Sequence, residues 1–333
     1  MSIKVVRTGL LTTIQDGGRY GYRQYGVILN GAMDPYALRI ANMLVGNDEH
    51  EGAMELTLMG PKLLFEQSCL IALTGGNLTP AIDGKDVPMW RPVWVREGSV
   101  LEFGVPKKGC RTYLSVSGGF QLPEVMGSVS TYLRAEIGGY KGRALQYGDV
   151  IGFNAPSPFG EKLIDSLQKG AADQPFAAAS WTLHPTWLPS YESNPTIRAI
   201  KGAEFDRFTE ESRQDVFTKP FQVTPQSDRM GYRLQGPALT LTEPFELLSS
   251  AVAFGTIQVP SDGNPIVLMA DHQTTGGYPR IAQAASVDLP LLAQVLPGRH
   301  VSFSDISLEE AQRLYLKREK QFQYMKRIIS LTI

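Results

Sequence analysis

Short apolar runs separated by turn residues dominate this chain. Leu70-Ile71-Ala72-Leu73, Val93-Trp94-Val95, Val100-Leu101-Glu102-Phe103, Tyr113-Leu114-Ser115-Val116 and Ile266-Val267-Leu268-Met269 are β-prone and too short for helices. The 33 glycines and 22 prolines bracket such runs along the whole length. That spacing predicts a mainly β fold of barrels or sandwiches rather than alternating βαβ units. Helical patterns are few. One opens at Asp34-Pro35, continues through Tyr36, Leu38, Ile40, Ala41 and Leu44, and closes at Gly46. The aspartate caps it and the proline suits its first turn. Another begins near Ser307, with Glu309 and Glu310 early and basic residues later, the charge order that complements the helix dipole.

From 155 to 195 the periodicity fades into alanines and prolines. This reads as a connection carrying a short helix around 161–169, which sets a first domain at 1–155, a connecting segment at 156–195 and a second domain at 196–333. A repeat supports two related halves. Arg19-Tyr20-Gly21-Tyr22-Arg23-Gln24-Tyr25-Gly26 and Arg229-Met230-Gly231-Tyr232-Arg233-Leu234-Gln235-Gly236 both read R-x-G-Y-R-x-x-G. A strand-level echo pairs Arg96-Glu97-Gly98-Ser99-Val100-Leu101-Glu102-Phe103 with Pro297-Gly298-Arg299-His300-Val301-Ser302-Phe303. The copies lie much further apart than the ~20–50 residues of a solenoid period, so two barrels are expected.

Composition narrows the function. With 43% hydrophobic and 20% charged residues and a net charge of -1, the 333-residue chain has the profile of a soluble globular protein. It has no basic block to neutralise a phosphate backbone, so no nucleic-acid partner is expected. No run nears the ~18 apolar residues of a membrane span, and the N-terminus has no apolar leader, so no membrane association and a cytoplasmic location are expected. Cys69 and Cys110 read as buried reduced thiols, with one disulfide between them as the alternative, and rule out a disulfide framework.

Several self-contained chemistries are missing. There is no P-loop, no G-x-S-x-G elbow and no H-E-x-x-H. Four scattered histidines argue against a metal site. Four polar, glycine-rich loops remain. In the first, either Asp16-Gly17 forms a turn beside a solvated Arg19, or Gln15 and Arg19 present forked donors to a carboxylate or carbonyl oxygen. In the second, Gly31-Ala32-Met33-Asp34-Pro35, Asp34 either caps a helix or marks an anion-receiving N-terminus. The third holds Asp228, Arg229, Tyr232 and Arg233, an ion-paired loop whatever its role. The fourth, Asp271-His272-Gln273-Thr274-Thr275-Gly276-Gly277, ends an apolar strand with many donors and acceptors. Chemistry on an amide needs such a set, and Asp271 is placed to orient His272 for proton handling. Gln258 can add an amide donor. Arg19, Arg229, Asp271 and His272 are the catalytic candidates. Gln15, Asp16, Asp34, Asp228, Tyr232, Arg233, Gln258, Gln273, Thr275, Gly276 and Gly277 are candidates for binding substrate.

These loops, together with Leu114-Ser115-Val116-Ser117-Gly118-Gly119, appear in an order that resembles the biotin-dependent carboxyltransferase / allophanate-hydrolase subunit 2 family, over essentially the full length. Members include the C subunit of 5-oxoprolinase and the kinase-inhibitor antagonist KipA. The resemblance implies two cyclophilin-like β-barrel domains with a few short helices and a C-terminal helix. It also implies partners. One is an allophanate-hydrolase subunit 1-like protein, equivalent to the B subunit of 5-oxoprolinase (KipI-like); another is the A subunit of 5-oxoprolinase. Such assemblies cleave 5-oxoproline to L-glutamate with ATP, expected with Mg and at an interface between subunits. Regulation of a histidine-kinase inhibitor and biotin-dependent carboxyl transfer to urea or a related amide are the alternatives. A carrier lysine would sit in an A-M-K-M-like hairpin. Met325-Lys326 instead lies in a charged helical stretch, so no covalent biotin is expected on this chain. Ala32 stands where the family commonly has a second glycine.

Overall fold

Residues 1–245 and 247–332 are described by the structure, a computed structural model. Cα packing divides the chain into two units. The first comprises Met1–Tyr20, Asp34–Pro189 and the residues from Tyr324 onward; the second comprises Gly21–Met33 and Ser190–Gln323.

All five apolar runs named above form strands, two of which stop one residue short of the run, at Glu102 and Leu268. In the first unit, one six-stranded sheet runs in the order Val150–Gly152, Ser2–Arg7, Lys62–Phe65, Val100–Glu102, Ala81–Ile82, Lys85–Asp86. The other runs Phe176–Ala178, Pro92–Val95, Cys69–Asn77, Lys108–Val116, Ala53–Thr57, Leu11–Gln15. A single apolar core takes Ile3, Leu63 and Leu101 from the former and Ile14, Ile71 and Val116 from the latter. Helix α1 (Pro35–Leu44) is capped as expected, with Asp34 accepting from the Ala37 amide at 2.9 Å. The segment read as a connection is partly structured. Helix α2 (Pro158–Ala171) starts at a Ser157 cap, and Phe176–Ala178 pairs with Pro92–Val95 as the edge strand of a sheet. The first boundary therefore lies beyond 155 in packing terms, and Gly21–Met33 packs with the later residues.

The second unit is a closed seven-stranded barrel. Its order is Thr196–Lys201, Arg280–Ala284, Thr256–Gln258, Ile266–Leu268, Gly231–Gln235, Phe221–Val223, His300–Asp305. Closure comes from a parallel pairing of His300–Asp305 with Thr196–Lys201. Ile197, Phe221, Leu234, Ile257, Val267 and Phe303 fill the interior. Around it lie α3 (Glu210–Thr218), capped by Thr209, the short α4 (Leu289–Ala293), and α5 (Leu308–Ser330), which begins one residue after Ser307. Met325 and Lys326 fall inside α5.

The two sequence echoes have different outcomes. In the strand-level echo, Gly98 and Gly298 both adopt left-handed φ, 83° and 85°. Each amide donates to a neighbouring strand, at Phe65 and Val223, and each of those amides donates back to the carbonyl of the following residue, Ser99 or Arg299. Gly148 (φ 85°) makes the same exchange with Val5 through Asp149, a third copy reading G-x-x-apolar-x-Phe into Phe153. Only glycine enters that conformation without penalty, so the turn returns wherever a strand must be received from this direction. The R-x-G-Y-R echo is not structural. Its second copy leads into a barrel strand, whereas its first forms turns and a 3-10 turn at Arg23–Tyr25.

Candidate functional site

The first loop is built inward. Asp16 Oδ1 accepts from the Gly18 amide (2.8 Å), Ser128 Oγ (2.9 Å) and Ser130 Oγ (2.6 Å), and its Oδ2 accepts from the Val129 amide (2.6 Å). Arg19, wholly buried, donates through Nε to the Val125 carbonyl and through Nη2 to the Ser130 carbonyl, both at 2.9 Å. Gln15 Nε2 reaches Thr13 Oγ1 and the Thr131 carbonyl. The three side chains thus fasten one segment, 125–131, to the end of strand Leu11–Gln15 and the loop that follows it. Gly138 (φ 68°) covers the clamp so closely that a Cβ there would lie 2.1 Å from the Ser130 carbonyl oxygen. Asp34 belongs to another buried group. Its amide donates to Tyr113 Oη (2.7 Å), which donates to Glu55 Oε2 (2.6 Å). Burial, reinforced by the carboxylates of Glu55 and Asp34, pushes the Tyr113 phenol well above its ordinary range and keeps it a donor.

In the second unit, Arg229 and Asp271 form a buried bidentate pair at 3.0 and 2.8 Å. Arg229 Nη2 also donates to Asn30 Oδ1 (3.0 Å) and the Gly31 carbonyl (2.6 Å). Asp271 therefore does not orient His272. That role falls to a carbonyl: His272 Nδ1 lies 2.6 Å from the Gln273 oxygen. A carbonyl only accepts, so Nδ1 carries the proton and Nε2 keeps its lone pair. Burial lowers the His272 pKa; the Gln273 bond opposes that, and the charge of Arg23 adds to it. The result is a neutral imidazole at neutral pH. Arg23 Nη2 donates to the carbonyls of Val252 and Thr274, beside the same loop.

The remaining candidates scatter. Asp228 Oδ1 receives the amides of Met230 and Gly231 and closes a turn. Tyr232 is buried in the barrel core, its hydroxyl on the Ala293 carbonyl, while Arg233 is exposed on the same strand. Thr275–Gly276 pairs with Ser250–Ala251, and Gly276 sits against Gln258, whose Nε2 donates to the Tyr278 carbonyl at 3.3 Å. Gly277 and Tyr278 line a cavity of about 750 Å³ with Leu241, Phe245, Val259 and Ser261. Strand Ile266–Leu268 starts opposite Gln258 and runs away from it. The fourth loop is thereby split: Asp271 and His272 follow one end of that strand, while Gly277 and Tyr278 lie by the other. Among the described residues, no group of three or more His, Cys, Asp or Glu is placed to hold a metal ion. Cys69 and Cys110 are free and buried, and burial raises both thiols.

A family model described as carboxyltransferase domain, subdomain A and B, matches residues 25–305, which span the Arg229–Asp271 pair and His272. The chain belongs to this carboxyltransferase-domain family. It is 41% identical over 324 residues to the C subunit of 5-oxoprolinase from Escherichia coli (strain K12), covering 97% of each chain. It is 32% identical over 325 residues to urea amidolyase of Saccharomyces cerevisiae, covering 94% of this chain and 17% of that protein. A crystal structure of Kluyveromyces lactis urea carboxylase superposes with a TM-score of 0.86 at 30% identity, over 96% of this chain and 29% of that one. The carboxyltransferase-domain match also takes in Asn30 but starts after Gln15, Asp16, Arg19 and Arg23.

Sequence reasoning overlooked Asn30, Ser128 and Ser130, and named Gly31 only as the start of the second loop. Asn30 bore a signal in the Asn-Gly pair, which favours positive φ, and its φ is 60°. Ser128 and Ser130 had only their alternation with Val129 to mark them.

Proposed function

We propose that this chain is the C subunit of an ATP-dependent 5-oxoprolinase that opens 5-oxoproline to L-glutamate together with A and B (KipI-like) subunits. The observation that carries the reading is the match to the Escherichia coli 5-oxoprolinase C subunit over 97% of both chains. The urea amidolyase and urea carboxylase matches are at lower identity, 32% and 30%, and cover 17% and 29% of those proteins.

The geometry supports specific roles. His272 is the proton acceptor, acting through Nε2 as a neutral base whose tautomer the Gln273 carbonyl fixes. Arg229 and Asp271 neutralise one another while Arg229 also holds Asn30 and Gly31, so the pair positions the loop that bears His272. ATP and its Mg are placed with the assembled partners. The test is glutamate release from 5-oxoproline by the purified chain with its co-encoded partners, with and without ATP. ATP-dependent release that disappears when this chain is left out is the expected result. A stable complex without release would sink the proposal.

Carboxyl transfer is the second reading, favoured by the fold match to urea carboxylase. It predicts carboxylation of an amide only when a biotinylated carrier is added.

A further inference from the structure

Arg23 carries a charge that the fold uses only in part. It sits in the 3-10 turn Arg23–Tyr25, within the segment that packs with the second unit. Its Nη2 is fixed on the carbonyls of Val252 and Thr274. Among the described residues, Nε and Nη1 have no protein partner, and no Asp or Glu lies within ion-pair distance of the guanidinium. The side chain is only half-buried, so those donors are within reach of a solute. Asp271, the acid nearest in the loop sequence, is already held by Arg229. An anchored guanidinium with unused donors and no counterion is a site for an external anion.

What stands beside it defines the anion. Gln273 and Thr274 are consecutive residues. The carbonyl of one holds the His272 imidazole and the carbonyl of the other holds Arg23. A fixed cation and a neutral base are therefore mounted on one short stretch of backbone. The ligand class that uses both is a small carboxylate with a neutral, proton-bearing group on the adjoining atom. A lactam carboxylate such as 5-oxoproline has that form, with its ring N–H one carbon from the carboxylate.

We propose that Arg23 and His272 form a carboxylate-binding site, in which Arg23 holds the carboxylate through Nη1 and His272 presents Nε2 to the neighbouring amide. This deepens the 5-oxoprolinase reading and rests on it for the identity of the ligand, although the site itself does not.

The test compares sodium 5-oxoproline with 2-pyrrolidinone, the same lactam without its carboxylate. Binding to the full chain, alone and in its complex, is followed by calorimetry and by the imidazole resonances of His272. The expected result is a His272 response to 5-oxoproline, with 2-pyrrolidinone binding at least about tenfold more weakly, as befits one lost charge-assisted hydrogen bond. Arg23→Gln should weaken 5-oxoproline by about 10–100-fold and leave 2-pyrrolidinone unchanged, and Arg23→Lys should recover part of the loss. In the active complex the same factor should fall on KM, with kcat little altered. Equal binding of the two lactams by the unmodified chain, or an Arg23→Gln loss shared equally by both, overturns the site. Arg23-dependent carboxylate binding in a complex that releases no glutamate overturns the hydrolase reading and keeps the site. Turnover with binding indifferent to Arg23 does the reverse.

Discussion

Arg19 and Arg229 begin the two copies of one sequence pattern, and both are buried, yet they meet different partners. Arg19 donates to the carbonyls of Val125 and Ser130, and the carboxylate beside it in sequence, Asp16, is satisfied by two amides and two hydroxyls. Arg229 instead grips a carboxylate, Asp271, along with Asn30 and Gly31. In the first unit the charges are dissolved into neutral dipoles; in the second they cancel each other. A shared local pattern therefore does not say what will neutralise a buried arginine. That depends on residues far away in the chain.

The largest expected effect comes from breaking the cancelled pair. Arg229→Ala should destabilise the protein by about 3–5 kcal/mol, because it leaves the Asp271 carboxylate buried and uncompensated. Replacing both partners, Arg229→Met with Asp271→Leu, should restore most of that loss in urea unfolding. A double variant as unstable as the single one would mean the pair is not the source. Next comes Asp16→Ala, expected to cost about 2–3 kcal/mol since four donors lose one acceptor. Asp16→Asn should fall between it and the native protein. Gly138→Ala should cost about 1–3 kcal/mol through its positive φ and its contact with the Ser130 carbonyl. Thermal melts at fixed pH would detect both, and an unchanged Tm for Gly138→Ala would show that the cover over Arg19 yields.

Smaller still is a pH effect. His272 has a lowered pKa in the folded chain, so the unfolded chain binds its proton first. Its contribution to stability is complete above the unfolded value of about 6.5 and is lost as pH falls through the lower folded value. Urea titrations between neutral and mildly acidic pH should therefore show a flatter profile for His272→Gln than for the native chain. An identical slope would place the imidazole in water. Least of all is expected from Glu310→Gln: its pair with Arg313 is exposed on α5, and Tm should not move measurably.

Much of the fold could be read from local signals. Asp34-Pro35 marked α1, Ser307 marked the start of α5, and the short apolar runs marked strands, because each depends on neighbours within a few residues. Helix α3 was overlooked although Thr209 with Glu210 and Glu211 forms a good N-terminus, since its apolar face is too sparse for a periodic pattern. The site was less legible. Asp271 and His272 adjoin in sequence, which suggested a pair, but the turn that follows strand Ile266–Leu268 leaves their side chains on different partners. Gly277 and Tyr278, also adjacent, lie by the other end of the strand and line a cavity. No spacing rule could join Asn30 to Arg229.

That last contact has a temporal side. The Gly31 carbonyl and Arg229 are 198 residues apart in the chain. At about 5–20 residues per second, a ribosome needs roughly 10–40 s to reach the arginine after making the glycine. Through that interval the stretch Gly21–Met33, with Ile28 among its residues destined for burial, has no barrel to join. Stalling translation before Arg229 should leave this stretch open to protease, and release of the full chain should close it.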